Sequence, residues 1–393
     1  MHRRGGQQPG LRRAPPGRPP DRGAAGVTRQ LTADPYPLLA RLRATEPVSW
    51  RPELDGWLVT RHDLALRVMR DAATFTVDDP RFSTARVVGP SMLSLEAAEH
   101  TRHRAPFARH FRPREIEDRF AGFVRAECAR LVDGFAAAGR AELRRELAGP
   151  LSVAVVAEAL GLADTDTARV LAWYDAIVST VDDISAGRPP GSGGAEAFGE
   201  LRAHLEGSVG RRSLLTEAAT ALELPEVVSN AAVLMFGGIE TTEGMIANLL
   251  RHLLREPSPP DRARLPAAIE ESLRLEPAAA VVDRYATRDV SLAGASIARG
   301  DLVTVSLTAA NRDPAVFANP DVFDPGRPDL RKQLAFAHGP HFCLGADLAR
   351  LEARIAVETV FDRLPGIALE SDVAPSGLVF RKPAAVPARW LPS

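Results

Sequence analysis

The chain of 393 residues lacks the features that mark several large classes of protein. Its two cysteines, Cys128 and Cys343, are far apart and no secretory signal precedes them, which excludes a disulfide framework and predicts a reducing, cytoplasmic location. Glutamates interrupt its most apolar segments, near 149–163 and 227–253, so no membrane span is expected. A formal net charge of -1 leaves no basic field for nucleic acid.

The first 26 residues also have almost no apolar side chains, but they hold six arginines, five prolines and six glycines. Such a segment cannot bury enough surface to offset its chain entropy, so a disordered tail is predicted over 1–26. The chain is long and apolar enough for two or three average domains, or for one large domain of the kind that encloses a cofactor.

Apolar residues at helical spacing dominate this remainder. Helices are predicted over 96–110, 114–138, 150–161, 165–182, 194–214, 224–255, 264–275 and 345–362. Strand patterns are few: a hairpin over 48–60, and short strands at 281–282, 290–292 and 302–305. The fold class predicted is therefore mainly α with small β-sheets.

A cysteine stands just before the last predicted helix, in the segment from Phe336 to Gly345. The amides and the dipole at a helix N-terminus lower the pKa of such a thiol and suit it to bind a metal. Taken alone, this segment allows three interpretations: a packed Cys343, a zinc site that adds His338 and His341, or a thiolate ligand of heme iron.

Two glycines, Gly237 and Gly238, stand in the middle of the long helix predicted over 224–255, where each costs up to about 1 kcal/mol relative to alanine. One explanation is a ligand that approaches the backbone there, beside Glu240 and Thr241. The other is tight packing against a neighbouring helix.

Further charged residues give weaker signals. Glu271 and Arg274 are three positions apart on a helix, a spacing that is common by chance. His100 and Arg104 are one turn apart, and Arg284 precedes a strand. These three side chains either donate charge-assisted hydrogen bonds to carboxylates or form a solvated basic face.

Together and in this order, the motifs resemble the cytochrome P450 superfamily of heme-thiolate monooxygenases, in its soluble bacterial branch. The resemblance runs from about residue 35 to the C-terminus and implies a single large domain, predicted over 27–393, that encloses heme b. Its most specific part is the cysteine loop, matched by Phe336, Gly339, His341, Cys343 and Gly345. By this resemblance Cys343 is the axial ligand of the heme iron.

The resemblance assigns roles to the other motifs as well. It makes Glu240 and Thr241 the acid–alcohol pair that delivers protons, a pairing suited to general acid catalysis. It implies a buried structural set of Glu271, Arg274 and Arg327, and contacts to the heme propionates from His100, Arg104, Arg284 and His341. The chain departs from the family pattern at Ala337, where glycine is usual, and at Gly237, where alanine is commonest.

Family position also predicts the substrate pocket. Its residues are Val87, Val88, Met92, Val233, Phe236, Gly237, Ala280, Val281 and Leu378. The 82–95 loop and the 181–194 connector are expected to close over an organic substrate, and the apolar lining predicts an apolar one.

The implied reaction inserts one oxygen atom from O2 into that substrate, as in secondary-metabolite tailoring. The chain has no dinucleotide fingerprint and no cysteine cluster, so NAD(P)H electrons are expected through a separate ferredoxin and ferredoxin reductase. The alternatives are a heme-thiolate peroxygenase or oxidative coupling enzyme, and a heme sensor without turnover.

Five arginines near the cysteine side of the fold are candidates to steer an acidic ferredoxin: Arg109, Arg112, Arg114, Arg350 and Arg354. Because the chain has only two lysines, Lys332 and Lys382, a general surplus of arginine explains these residues equally well.

Overall fold

A computed structural model describes residues 24–162, 167–185, 189, 191–207 and 214–391. Its helices are α1 (Ala24–Ala33), α2 (Tyr36–Thr45), α3 (His62–Arg70), α4 (Ser83–Val88), α5 (Ala97–Ala108), α6 (Pro113–Phe135), α7 (Gly149–Leu160), α8 (Thr167–Ser185), α9 (Gly193–Gly207), α10 (Leu214–Ala218), α11 (Leu224–Arg255), α12 (Leu265–Leu275), α13 (Leu307–Ala310) and α14 (Ala346–Arg363). None of these helices is long and apolar enough to cross a membrane.

The strands are short, with two to six residues each. They are β1 (Val48–Arg51), β2 (Gly56–Val59), β3 (Phe75–Thr76), β4 (Arg140–Glu142), β5 (Val281–Ala286), β6 (Val290–Leu292), β7 (Ala295–Ile297), β8 (Leu302–Ser306), β9 (Ala368–Leu369), β10 (Pro375–Ser376), β11 (Lys382–Pro383) and β12 (Pro387–Arg389). The largest sheet has the order β1-β2-β8-β5-β3, in which β2 and β8 are parallel.

The helix α11 forms the centre of the molecule. It begins with a capping box, in which the Glu223 and Glu226 side chains satisfy free amides of the first turn, and with a proline at a position that needs no amide hydrogen. Its 32 residues pack against α7, α12 and α14, and most of them are buried. This helix and the loop before α14 form the walls of the site.

The predicted helices agree with the structure to within a few residues, with two differences. The segment predicted as one helix over 194–214 forms α9, and α10 begins only at Leu214. The predicted 82–95 loop contains the helix α4. The strands β9 to β12 carried no alternating pattern, because each is only two or three residues long.

Two expectations fall largely on residues outside the described ranges. Residues 1–23 of the expected tail lie there, while the last three belong to α1, which begins at Ala24. Within the expected 181–194 connector, residues 186–188 and 190 also lie there.

Candidate active site

Two cavities lie between the loop that carries Cys343 and the middle of α11. The inner cavity has Cys343 on one wall and Gly237 and Thr241 on the other. The outer cavity extends from there to the large sheet and to α1. The two share five lining residues: Leu93, Ala279, Val282, Ala337 and His341. The inner and outer cavities therefore adjoin one another.

The loop around Cys343 is fixed by its backbone. The Cys343 amide donates to the Phe336 carbonyl at 2.9 Å. Gly339 has a φ of +77°, and a Cβ atom there would stand 2.4 Å from the Met69 carbonyl oxygen at the end of α3. Only glycine allows this contact between the loop and α3.

Ala337 is the unusual residue of this loop. Its φ is +57°, in the left-handed region that costs a residue with a Cβ roughly 1–2 kcal/mol. The departure from glycine noted in the sequence therefore carries strain. By contrast, Gly345 has a φ of -87° and room for a Cβ, so it does not need to be glycine for conformational reasons.

The Cys343 thiol lines the inner cavity and is accessible from it. Burial raises the pKa of Cys343, although the Gly345 amide, Arg104 and Arg350 act in the opposite direction. The helix N-terminus therefore lowers the pKa of Cys343 as expected, but desolvation raises it by more. A bound metal cation is the further charge that makes such a thiol a thiolate.

The zinc interpretation of this loop does not fit the geometry. The His338 ring contacts Arg70 of α3, with 3.2 Å between Arg70 Nε and Nδ1, and the same Nδ1 accepts from the Gly339 amide. Among the described residues, no group of three or more acidic, histidine or cysteine side chains is placed to hold a metal ion.

The two glycines of α11 have different environments. Gly237 has open space where a Cβ would be, and it faces the inner cavity. Gly238 faces α7, and a Cβ there would stand 2.6 Å from a methyl carbon of Val156. The packing interpretation therefore holds for Gly238, and Gly237 has the open space that the ligand interpretation requires. The Thr241 hydroxyl donates to the Gly237 carbonyl at 2.5 Å on the same wall.

Glu240 does not line either cavity but belongs to a network of side chains behind α11. Lys382 of β11 lies 2.7 Å from Glu240 and also contacts Glu243, which pairs with Arg144 at 2.8 Å. The Tyr174 hydroxyl of α8 donates to Glu240, and burial together with this carboxylate raises the pKa of Tyr174. Sequence reasoning missed these partners because they come from distant segments.

One edge of the cavities is basic. His100 and His341 have ring centroids 4.4 Å apart, and the buried Nε2 of His100 has no hydrogen-bond partner among the described residues. Burial, then His341 and Arg104, lower the pKa of His100 to about 4. Arg284, which is 5% exposed, lines the outer cavity nearby. Arg104 lines the inner cavity and donates to the Phe342 carbonyl at 2.7 Å.

Glu96 is an unexpected member of this edge. Its Oε2 atom lies 3.2 Å from His341 Nε2, and its Oε1 accepts from the Val77 amide at 3.0 Å. Burial opposes the charge, but these two contacts lower the pKa of Glu96 below its usual value. The carboxylate therefore lies directly against the ring of His341.

These features fit an iron porphyrin. A thiol and a glycine-threonine surface face each other across an apolar space, as a flat ring with an axial ligand requires. The unpaired His100 nitrogen and the buried arginines at one edge are donors suited to the two carboxylates of such a ring.

Comparison with known proteins agrees with this geometry. The family model described as Cytochrome P450 matches residues 260–365. The cytochrome P450 monooxygenase PikC of Streptomyces venezuelae is 36% identical, over 94% of this chain and 94% of its own length. The chain belongs to the cytochrome P450 family.

Two further relatives extend the comparison. The mycinamicin IV hydroxylase/epoxidase of Micromonospora griseorubida is 35% identical over 89% of this chain and 94% of its own. The solved structure of CxnD, a P450 for C–S bond formation in chuangxinmycin biosynthesis, has a TM-score of 0.80 and 30% identity, covering 92% and 96% of the two chains. This chain is a cytochrome P450 monooxygenase with the mainly α fold of the family, and its relatives include enzymes of secondary metabolism.

In this P450 the Glu271–Arg274–Arg327 set is buried and complete. Arg274 binds both carboxylate oxygens of Glu271 at 2.7 and 2.8 Å, and both side chains have no exposed surface. Arg327 adds a contact at 3.1 Å. The two arginines also donate to backbone carbonyls of the irregular stretch, Asn311, Ala318, Asn319, Pro320 and Val322. The set therefore fixes the chain that leads to the cysteine loop.

Seven of the nine expected pocket residues line the cavities. Met92, Val233 and Gly237 face the inner cavity, and Phe236, Ala280, Val281 and Leu378 face the outer one. The expectation was wrong for the other two. Val88 is 2% exposed in the hydrophobic core, where the Ser229 hydroxyl of α11 donates to its carbonyl, and Val87 packs against that core. They differ because α4 turns their side chains away from the cavity.

The five arginines proposed for a ferredoxin surface are not equivalent. Arg350 binds Glu270 at 2.6 Å and stacks over Phe336, so it supports the cysteine loop. Arg109 pairs with Glu217, and Arg354 pairs with Glu117. Arg112 and Arg114 are exposed, at the start of α6.

Proposed function

We propose that this P450 inserts one oxygen atom from O2 into a mostly apolar organic substrate in secondary-metabolite tailoring, in the cytoplasm, with residues 27–393 as one catalytic domain. The observation that carries the proposal is the continuous space between the Cys343 thiol and the Gly237–Thr241 wall of α11. The mycinamicin IV hydroxylase/epoxidase and CxnD support the tailoring role only through the reactions in their names.

Cys343 would hold the iron of heme b, with Phe336, Gly339 and Gly345 shaping its loop. His100, Arg104, Arg284 and His341 would bind the propionates at the basic edge. When bound, a thiolate-ligated iron porphyrin supplies the activation of O2 that side chains cannot provide.

The proton path is proposed to use Glu240 and Thr241. Glu240 is 17% exposed and contacts Lys382 and Tyr174, so it lies where it can exchange protons with solvent. Thr241 presents Oγ1 at the cavity wall, held by the Gly237 carbonyl. A carboxylate outside the cavity and a hydroxyl at its wall form a relay that delivers protons without opening the space to water.

Electrons are proposed to come from NAD(P)H through a separate ferredoxin and reductase. The exposed Arg112 and Arg114 remain the candidates for docking, since Arg109, Arg350 and Arg354 are engaged in ion pairs.

The test uses a compound that shifts the Soret band of the purified holoenzyme, turned over under ¹⁸O₂ with a surrogate ferredoxin and reductase. We expect a product with one ¹⁸O atom. Thr241→Ala should release peroxide at the expense of product, and Thr241→Ser should restore coupling because it keeps the hydroxyl. A product that has only lost two hydrogens would favour the oxidative coupling alternative, and peroxide release by Thr241→Ser equal to that of Thr241→Ala would contradict the relay.

A further inference from the structure

The outer cavity is bounded by one face of the large sheet. Leu58, Thr304 and Asp283 lie side by side on β2, β8 and β5 and line this cavity. Thr28 and Leu31 of α1 also line it. Most of the lining is apolar, so a carboxylate on this face needs an explanation.

Within the part of the chain that the structure describes, the Asp283 carboxylate has a hydroxyl partner but no ion pair. The Thr304 hydroxyl donates to Oδ1 at 2.6 Å. Arg284, the next residue, also lines the outer cavity; it donates to the backbone carbonyl of Asp283 at 2.7 Å, and its charge offsets part of the effect of burial on the Asp283 carboxylate. Burial raises the pKa of Asp283 above its usual value. A cation brought to this carboxylate would therefore be stabilised there.

A second carboxylate lines the same cavity. Glu53, in the turn between β1 and β2, has a side chain that is 4% exposed, and its buried Oε1 has no hydrogen-bond partner among the described residues. Its recorded cationic neighbour, Arg51, stands 3.8 Å away, beyond hydrogen-bond distance. A buried carboxylate oxygen without a donor is costly, so this atom is suited to a donor from a ligand.

The other arginines that line the outer cavity have their own partners. Arg81 binds Asp79 and the Gly300 carbonyl. Arg381 binds Glu276 at 2.9 Å and several backbone carbonyls. Neither has a recorded contact with Glu53 or Asp283.

We propose that the outer cavity binds a protonated amine on an otherwise apolar substrate, with Glu53 and Asp283 accepting its hydrogen bonds. The apolar part of the molecule would lie along Phe236, Val281 and Leu378 toward the inner cavity. This inference rests on the proposed function, because it names the substrate class of the same site. It replaces a purely apolar substrate with one that carries a basic group at one end.

The test measures binding of three probes of equal chain length to the holoenzyme, each below its micelle concentration: dodecan-1-amine, whose ammonium has three N–H donors, dodecan-1-ol and dodecanoate. Equilibrium dialysis gives the dissociation constants, and the Soret shift reports whether the probe reaches the iron side. The variants are Glu53→Gln and Asp283→Asn. Asp55→Asn is the matched control, because it removes an exposed acid from the same turn as Glu53.

We expect the amine to bind tightest to the wild type and about tenfold to a hundredfold more weakly to each variant, the usual contribution of a charge-assisted hydrogen bond. Binding of the alcohol should change less than about twofold, and Asp55→Asn should bind all three probes as the wild type does. The inference would be overturned if the wild type bound the amine no more tightly than the alcohol, or if either variant bound the amine as tightly as the wild type does. Retention of the heme-thiolate spectrum in every variant would separate that failure from a failure of the proposed function.

Discussion

The two walls of the inner cavity are built in different ways. The cysteine wall depends on backbone geometry. Ala337 has a left-handed conformation, Gly339 lies against the Met69 carbonyl, and the buried Arg274 binds Glu271. The α11 wall is a regular helix whose acid, Glu240, is held by side chains from α8 and β11. The backbone therefore fixes the shape of the cysteine wall, whereas side-chain contacts hold the acid behind the α11 wall.

This difference indicates how substitutions at each wall should affect the protein. A ligand that must hold a metal at a fixed position needs a wall that moves little, and backbone contacts provide it. A proton relay needs groups that exchange partners, and partly exposed side chains provide them. We therefore expect substitutions to affect stability at the cysteine wall and turnover at the α11 wall.

The largest effect is expected from Arg274→Ala, which leaves Glu271 buried without its main partner. Loss of one member of a buried ion pair costs roughly 3–5 kcal/mol of unfolding free energy. Urea unfolding should show this loss, whereas Arg331→Ala, at an exposed position nearby, should change stability little. Equal stability of the two variants would mean that the buried set does not support the cysteine wall.

The next effect is expected from Gly339→Ala. It adds a Cβ at a φ of +77° and 2.4 Å from the Met69 carbonyl oxygen, so a cost of roughly 2–4 kcal/mol is expected, together with weaker heme retention. Gly345→Ala is the matched control in the same loop, because its nearest new contact, to Phe111, is 4.0 Å. Similar unfolding midpoints for these two glycine variants would contradict the role of backbone geometry here.

At the other wall, Lys382→Met removes the cation that holds Glu240 and Glu243. We expect product formation per electron pair to fall about tenfold, a modest part of a general acid's usual contribution, while Tyr174 and Arg144 still contact the two carboxylates. The control is Lys332→Met, which removes the other lysine of the chain. If peroxide release rose equally in both lysine variants, the network behind α11 would have no specific part in proton delivery.

The smallest effect is a gain. Ala337→Gly relieves the strain of the left-handed backbone, but glycine loses more conformational entropy on folding than alanine does. The unfolding free energy should therefore rise by about 0.5–1 kcal/mol. Thermal unfolding measures this directly. A destabilised Ala337→Gly variant would show that the alanine methyl packs favourably enough to offset its backbone strain.

The same contrast explains what the sequence could predict. Phe336, Gly339, Cys343 and Gly345 fall within ten residues of one another, so the cysteine loop was visible as a local motif. Helix boundaries were also local, because periodicity and caps define them. The partners of Glu240, His341 and Thr304 lie far away in the chain, and one sequence contains no signal that joins Tyr174, Lys382, Glu96 or Asp283 to them.

The measurement that tests the account most directly is the absorption spectrum of the dithionite-reduced protein with and without carbon monoxide, for the wild type and Cys343→Ser. The account predicts a strongly red-shifted Soret band for the wild type, typical of iron–thiolate ligation, and its loss in the variant. A colourless wild type, an imidazole-like band, or an unchanged band in Cys343→Ser would contradict the assignment of Cys343 as the iron ligand.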